Sequence, residues 1–372
     1  MKVKLKDVAS FSKGQQINGD DLLPSANYAY LNGGISPSGY WNEYNIPANS
    51  IAISEGGNSC GYVNYMQSPF WCGAHCYYLF DLKISNAKYL YYALKARQDD
   101  IMKLRSGACM PNIKKSDLGE FAFEFDFDDD HQTIVVDQLE RVERMIALRK
   151  QQILKLDELV KSRFIEMFGS IKNNHQRYPV VKIGSCAKLQ GGFAFRSSDY
   201  LNDGIRLVQI SNVNKDTLDW DSINCVPQAF LQKYKDFELH VGDLVLAMTR
   251  PVIKSLDAVK IATVSENDVP SLLNQRVGRF VVDRKKLHSV YLMVLCQMPE
   301  FREYVEAMSG NSLQPNISSK QVEDYSIVLP PLALQEQFAA FVEHVNKSKF
   351  EIQKSLEKLE TLKIALMQKY FG

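Results

Sequence analysis

Between residues 131 and 169 apolar side chains return on alternating steps of four and three. Val135, Leu139, Val142, Ile146, Ile153, Leu156 and Val160 form the series, with Arg149 its one polar member. That spacing predicts a long amphipathic helix whose apolar seam faces another helix. A second stretch of the same kind closes the chain, with Phe338, Val342, Val345, Ile352, Leu356, Leu359 and Leu366 in the seam, broken by Lys349 and Lys363. The acidic run Asp128-Asp129-Asp130 suits the positive end of a helix dipole, Pro330-Pro331 suits a helix start, and Gly169 and Gly372 suit helix ends. A helix of roughly 38 residues is about 57 Å long and needs a partner along its length. The other copy can supply it, so the two stretches are expected to pair antiparallel, carrying what they join to opposite ends about an approximate two-fold axis.

The two stretches are copies of one another. At a constant offset and without a gap, Gln132 aligns with Gln335, Lys155 with Lys358, Leu156 with Leu359, Leu159 with Leu362, Phe168 with Phe371 and Gly169 with Gly372. Upstream, Ser106-Gly107 and Pro111-Asn112-Ile113 are echoed by Ser309-Gly310 and Pro315-Asn316-Ile317. Each half repeats its ending and not its beginning. The pattern predicts two unlike heads on a duplicated helical stalk, not a solenoid of many repeats.

Both heads read as mixed α/β. Strands are expected around Tyr30, Ile51–Ile53, Gly61–Tyr65 and Tyr77–Phe80 in the first. In the second they are expected around 207–210, 243–248, 259–262 and 277–282. Short helices at about 87–103 and 289–307 then precede the shared Ser-Gly and Pro-Asn-Ile elements, so one fold is expected for both heads. The predicted class is α+β: two mixed α/β heads joined by a pair of long helices in an antiparallel coiled coil, with a pseudo-two-fold internal repeat.

Composition narrows the field. The 372 residues suit two or three domains, and a net charge of +1 does not by itself advertise a nucleic-acid partner, although acidic stalk faces can offset basic heads. No apolar run reaches membrane-spanning length and Met1–Asp7 lacks the apolar core of a signal peptide, which predicts a cytoplasmic protein. The 7 cysteines are irregularly spaced, as in a reducing compartment. Cys60, Cys72, His75 and Cys76 could in principle hold zinc, but Cys72, His75 and Cys76 lie in 71–80, which reads as a turn into a buried strand, so no metal site is expected.

Catalytic chemistry has no visible seat: there is no phosphate loop, zinc-protease helix or nucleophile elbow, and Gln190-Gly191-Gly192-Phe193 lacks the third glycine of a dinucleotide turn. The loops instead carry glycines, short polar side chains, cations and aromatics, which suit approach to a phosphate backbone and reading of base edges. Candidate DNA-binding residues are Lys13, Asn32, Ser36, Ser38, Tyr40, Glu55, Asn58 and His75 in the first head. In the second they are Phe193, Phe195, Arg196, Gln209, Asn212, Lys215, Arg250, Gln275 and Arg276.

The plan of unlike head, shared helix, unlike head, shared helix resembles the DNA-specificity (S) subunit of type I restriction-modification enzymes. Matching stretches are Tyr178-Pro179-Val180-Val181-Lys182-Ile183-Gly184, Gly191-Gly192-Phe193-Ala194-Phe195, Val208-Gln209-Ile210-Ser211-Asn212-Val213, residues 242–249, residues 273–278 and residues 329–337; residues 53–63 look like one branch of that family. The resemblance covers essentially the whole chain. It implies target recognition domains at 1–127 and 170–330 and helical spacers at 128–169 and 331–372. Each recognition domain would read one half of a split double-stranded DNA target. The helices would set the gap and dock two modification (methyltransferase) subunits, with restriction/translocase subunits joining them and no membrane involved. It implies no cofactor in this chain, with S-adenosylmethionine, ATP and Mg2+ in the partner subunits. The first half ends in Phe125-Asp126-Phe127-Asp128-Asp129-Asp130 where the second has Leu329-Pro330-Pro331-Leu332-Ala333, a departure from a tidy repeat. The remaining alternatives are a coiled-coil adaptor with protein-binding heads and a self-contained methyltransferase-nuclease.

Overall fold

The computed structural model describes residues 1–107, 111–310 and 314–372. The chain divides into two compact units, Met1–Gln151 with Gln353–Gly372, and Gln152–Ile352.

The first unit opens with β1 (Lys2–Lys4), α1 (Leu5–Val8), β2 (Ser10–Lys13), β3 (Tyr28–Leu31), β4 (Gly39–Trp41), β5 (Ser50–Ser54), β6 (Val63–Met66), β7 (Phe70–Cys72) and β8 (Cys76–Phe80). It continues with α2 (Ala87–Ala96), α3 (Gln98–Lys103), α4 (Lys115–Glu120), β9 (Ala122–Glu124) and the first part of α5 (Asp129–Phe168). A four-stranded antiparallel sheet, β2-β8-β5-β6, lies against a three-stranded sheet, β4-β3-β7, in which β3 and β7 run parallel. Strand β5 is buried on both faces, which is why its sequence is a continuous apolar run rather than an alternation. Ile51 and Ile53 face a core shared with the helices, while Ala52 faces Leu31, Phe70 and Cys72 of the second sheet.

The second unit repeats this topology. After the end of α5 come β10 (Val180–Lys182), β11 (Ala187–Gly191), β12 (Ile205–Val208), β13 (Cys225–Val226), α6 (Ala229–Lys233), β14 (Leu244–Ala247), β15 (Val252–Ile253), β16 (Ala258–Val259), β17 (Ile261–Thr263), β18 (Ser271–Leu273) and β19 (Val277–Val282). Then follow α7 (Ser289–Cys296), α8 (Pro299–Ser309), α9 (Ser319–Asp324), β20 (Ser326–Val328) and α10 (Leu332–Phe371). The sheets are β11-β19-β14-β17 and β13-β12-β18, with β12 and β18 parallel, and β10 pairs with β20 as β1 does with β9. Central β14 divides its side chains as β5 does, Leu244 and Leu246 towards the helices and Val245 and Ala247 towards a second core. The α/β heads and their duplication therefore match the sequence expectation. Each expected helix at 87–103 and 289–307 is in fact two: the first breaks at Arg97 (φ −102, ψ 22) and the second at Pro299, which starts a new helix at its favoured first position.

Two 40-residue helices, α5 and α10, contribute to both units. In the first unit the start of α5 runs antiparallel to the end of α10: Glu143 pairs with Lys363 at 2.8 Å, Lys150 with Glu360 at 3.0 Å, and Tyr370 donates to Gln138 at 2.8 Å. In the second unit the end of α5 and the start of α10 are likewise antiparallel, through Asp157 with Lys349 and Phe164 with Phe338. All fourteen apolar seam residues are buried or half-buried. The two lysines that interrupt the second seam are each paired with an acid on the facing helix, Lys349 with Asp157 and Lys363 with Glu143, so each marks a cross-helix ion pair and not a gap in the coil.

The repeated helix ends serve one structural purpose. Phe168 and Phe371, the last helical residues, pack on the equivalent tyrosines Tyr291 and Tyr89, with ring centroids 5.0 and 5.1 Å apart. The repeated glutamines are buried as well. Gln335 accepts from the His288 amide and donates to the carbonyls of Lys286 and Pro330, and Gln132 donates to the Asp126 carbonyl, each fastening a helix start to its head.

Candidate nucleic-acid interface

At one end of each pair of sheets the chain turns between β2 and β3, after β3, after β5 and between β7 and β8, and the four turns lie side by side. In the first unit the close approach depends on Gly14, where a Cβ would lie 1.9 Å from the Cys72 carbonyl oxygen; the equivalent Gly192 would meet the Asn274 oxygen at 2.2 Å. No residue with a side chain fits either crossing.

These turns bring Lys13, Asn32, Glu55 and His75 together. Asn32 Oδ1 accepts from the His75 amide at 3.1 Å, and the Glu55 amide donates to the His75 carbonyl at 2.9 Å. The Glu55 carboxylate, almost fully buried, takes Lys13 Nζ at 2.8 Å and lies 3.5 Å from His75 Nδ1. Ser54 and Ser59 both donate to the Gly33 carbonyl, tying the loop after β3 to the turn that carries Asn58. Asn58 is exposed, and so are Ser36, Ser38 and Tyr40 along the loop and strand beyond Gly34. Cys60, Cys72 and Cys76 are buried free thiols. A hydrogen bond with Cys76 and burial push the Cys72 thiol far up.

In the second unit Arg250, Gln275, Arg276 and Arg196 are exposed on the corresponding turns. Matched backbone hydrogen bonds establish the equivalence. The Met248 amide donates to the Arg276 carbonyl at 2.8 Å as Glu55 does to His75, and the Asn274 amide to the Val208 carbonyl at 3.1 Å as Gly73 does to Leu31 at 2.8 Å. His75 thus corresponds to Arg276 and Asn32 to Gln209. Likewise the Gly57 amide donates to Pro111 at 3.0 Å and the Arg250 amide to Pro315 at 2.8 Å, and the amides of Ile113 and Ile317 return to Glu55 and Met248. The repeated Pro-Asn-Ile is therefore a backbone clip on the turn after the central strand, a role its sequence did not reveal. Gly57 has φ +77 and its counterpart Arg250 φ +48, while Arg276 has φ +67. A left-handed conformation costs a residue with a side chain on the order of 1 kcal/mol. Two arginines are held in this conformation, one of them at a position where the other unit has glycine.

Several candidates are corrected by the structure. Phe195 is buried against Ile205 and Leu207, and Phe193 sits in an aromatic cluster with its centroid 4.5 Å from Tyr234, so neither presents a face for stacking on bases. Asn212 is buried. Its Oδ1 accepts from the Gln209 amide and its Nδ2 donates to the carbonyls of Asp219 and Ser222, closing a loop. Lys215 turns to the coil, where its Nζ lies 3.1 Å from Asp157. The Gln209 side chain donates through Nε2 to Tyr200 Oη and accepts at Oε1 from Asn224 Nδ2, leaving one donor hydrogen and one acceptor lone pair for a ligand. Two polar residues beside the turns were missed. Gln314 lies 3.5 Å from Arg276 Nη1, and Lys260 reaches the Ile210 carbonyl, its pKa lowered by burial and by the charge of Arg250.

The family model of the type I restriction modification DNA specificity domain matches residues 1–158 and 176–363. The chain belongs to that family. Over 299 residues this specificity subunit is 25% identical to the type I restriction enzyme MjaVIII specificity subunit of Methanocaldococcus jannaschii, covering 75% of this chain and 70% of that one. It is 30% identical over 203 residues to a putative type I specificity subunit, S.MgeORF438P, of Mycoplasma genitalium, covering 52% and 53%. The crystal structure of a type I restriction-modification S subunit from M. genitalium shares the fold at a TM-score of 0.62 and 18% identity, covering 100% of this chain and 96% of that one. A second, described in terms of complex assembly and conformational transition of the type I system, does so at 0.56 and 13%, covering 100% and 97%. The protein is a non-catalytic DNA-recognition subunit, with catalysis in partner subunits of the restriction-modification complex. Its identity calls for no cofactor in this chain. No helix among the described residues is long and apolar enough to cross a membrane.

Proposed function

We propose that each unit of this specificity subunit reads one half of a split double-stranded target. The observation that carries this is that unlike residues fill equivalent turn positions: Asn32, His75 and Gly57 in one unit, Gln209, Arg276 and Arg250 in the other. A duplicated scaffold with unlike readers recognises two unlike half-sites. Residues 1–127 and 170–330 act as recognition domains, and 128–169 with 331–372 act as the spacer that fixes the gap and docks two modification subunits. Those partners supply S-adenosylmethionine, and restriction/translocase subunits supply ATP- and Mg2+-dependent work, in the cytoplasm.

Arginine can bridge the O6 and N7 of guanine, and histidine can donate to or accept from a base edge according to its tautomer. Arg276→Ala is expected to weaken binding by about 1–3 kcal/mol and to relax one position of the second half-site only, and His75→Ala to do the same for the first. The check is adenine-methylation mapping in a host that carries the variant with its modification subunits. A uniform loss over all sequences assigns the residue to phosphate and removes it from the set of readers.

A further inference from the structure

The loop that follows β12 does more than present Gln209. At its far end Lys215 Nζ lies 3.1 Å from one carboxylate oxygen of Asp157 on α5, whose other oxygen takes Lys349 of α10. The three side chains are only 24–26% exposed, so they are partly desolvated and not a surface pair that water would screen to nothing. Burial opposes the charge of Asp157, but Lys349 and Lys215 outweigh it and hold its pKa below the ordinary carboxylate value. Next in the chain, Asp216 adopts φ +72, its amide donates to the Ile261 carbonyl at 2.9 Å, and its carboxylate accepts from Gln297 at the end of α7. The loop is closed internally as well. The Asn214 amide donates to Thr217 at 3.1 Å, and Asn212 joins the Gln209 amide to the carbonyls of Asp219 and Ser222. From the coil to Gln209 the path is hydrogen-bonded almost without a break.

The first unit lacks this device among its described residues. Its loop after β3, Asn32-Gly33-Gly34-Ile35, has no cation, and Glu360, which the duplication pairs with Asp157, is engaged by Lys150 of the facing helix at 3.0 Å.

We infer that Asp157 is a positioning residue for DNA specificity: through Lys215 it anchors the recognition loop of the second unit to the coil, so that a coil residue tunes the reading of the second half-site alone. The inference rests on the half-site reading proposed above. It makes one carboxylate of the spacer a determinant of sequence, and it explains why a lysine in a DNA-facing loop is turned away from DNA.

The test uses the full chain assembled with its modification subunits and the target established by methylation mapping. Affinity is measured for the cognate duplex and for duplexes with one base pair changed in either half-site, at two salt concentrations. Lys215→Met, which leaves the Asp157–Lys349 pair intact, is expected to reduce discrimination at the second half-site by about tenfold, within the range of one lost bidentate contact, and to leave the first half-site and the salt slope unchanged. Asp157→Asn should do the same, Asp157→Glu should restore it, and Lys349→Met, which breaks only the helix-to-helix pair, should keep it. Three results overturn the inference. Lys215→Met could lower affinity equally for every duplex with a shallower salt slope, as a phosphate contact would. It could leave both half-sites unchanged while Arg276→Ala in the same assay does relax the second, in which case the half-site reading stands and the anchor falls. Or Arg276→Ala could spare both half-sites, and the reading itself fails along with the anchor.

Discussion

Replacing Phe338 with alanine is expected to cost about 3–5 kcal/mol, the loss typical of a buried aromatic ring. Phe338 is fully buried, its ring centroid 5.5 Å from that of Phe164 and 5.3 Å from that of Phe168, and both of those rings lie 5.0 Å from Tyr291. The cluster joins the start of α10, the end of α5 and helix α7 of one unit, so a cavity at its centre loosens all three at once. Because contacts around Phe338 belong to the second unit, amide exchange should quicken first in residues 152–352. Ile364→Ala is the control, since that side chain is 69% exposed and should change stability by no more than about 0.5 kcal/mol. Equal losses for the two variants would show that the aromatic cluster is not what fastens this helix to its head.

The long helices were legible because their period is simple and sustained: a seam at steps of four and three survives even where Lys349 and Lys363 interrupt it. What the one-dimensional pattern hid is that each interruption has its acid on the other helix, Asp157 and Glu143, far away in sequence. The strands were legible for a related reason, since β5 and β14 are buried on both faces and so appear as unbroken apolar runs. The recognition turns were only half legible. Composition pointed to loops that the fold brings side by side, and Lys13, Asn32, Glu55 and His75 converge as a polar cluster. It could not tell which side chains of a loop point outward. Phe193 and Phe195 resemble stacking platforms in sequence but fill an aromatic core, and Asn212 resembles an adenine reader but closes its own loop. Those distinctions depend on tertiary packing, which leaves no local signature. The equivalence of His75 with Arg276 was also invisible, because the turns share backbone hydrogen bonds and not residues. On the half-site reading proposed above, variation at matched positions is what a recognition scaffold requires, and a repeat search discards such positions.

The spacer makes the sharper functional prediction. Inserting seven residues after Lys150 in α5, with seven matching residues in the stretch of α10 that faces it, is expected to abolish recognition of the parental target. A target with the same two half-sites and a longer gap should replace it. Both inserts extend unbroken helices, and the facing pairs Glu143–Lys363 and Lys150–Glu360 fix the antiparallel register to be preserved. A heptad adds about 10.5 Å of helix, which matches about three base pairs at 3.4 Å each. The match in length is not a match in angle. A helix turns by only about 20° relative to its partner seam over seven residues, whereas DNA with about 10.5 base pairs per turn rotates by roughly 100° over three. The new complex must therefore twist the DNA or strain the coil, and its affinity for the longer-gap target should fall below that of the parent for its own. Methylation mapping reads the gap and a binding titration reads the strain. If the variant keeps the parental gap, the helices do not set the spacing. If it binds the longer gap as tightly as the parent binds its own, the recognition parts reorient freely on the coil, and a rigid ruler is the wrong picture of this spacer.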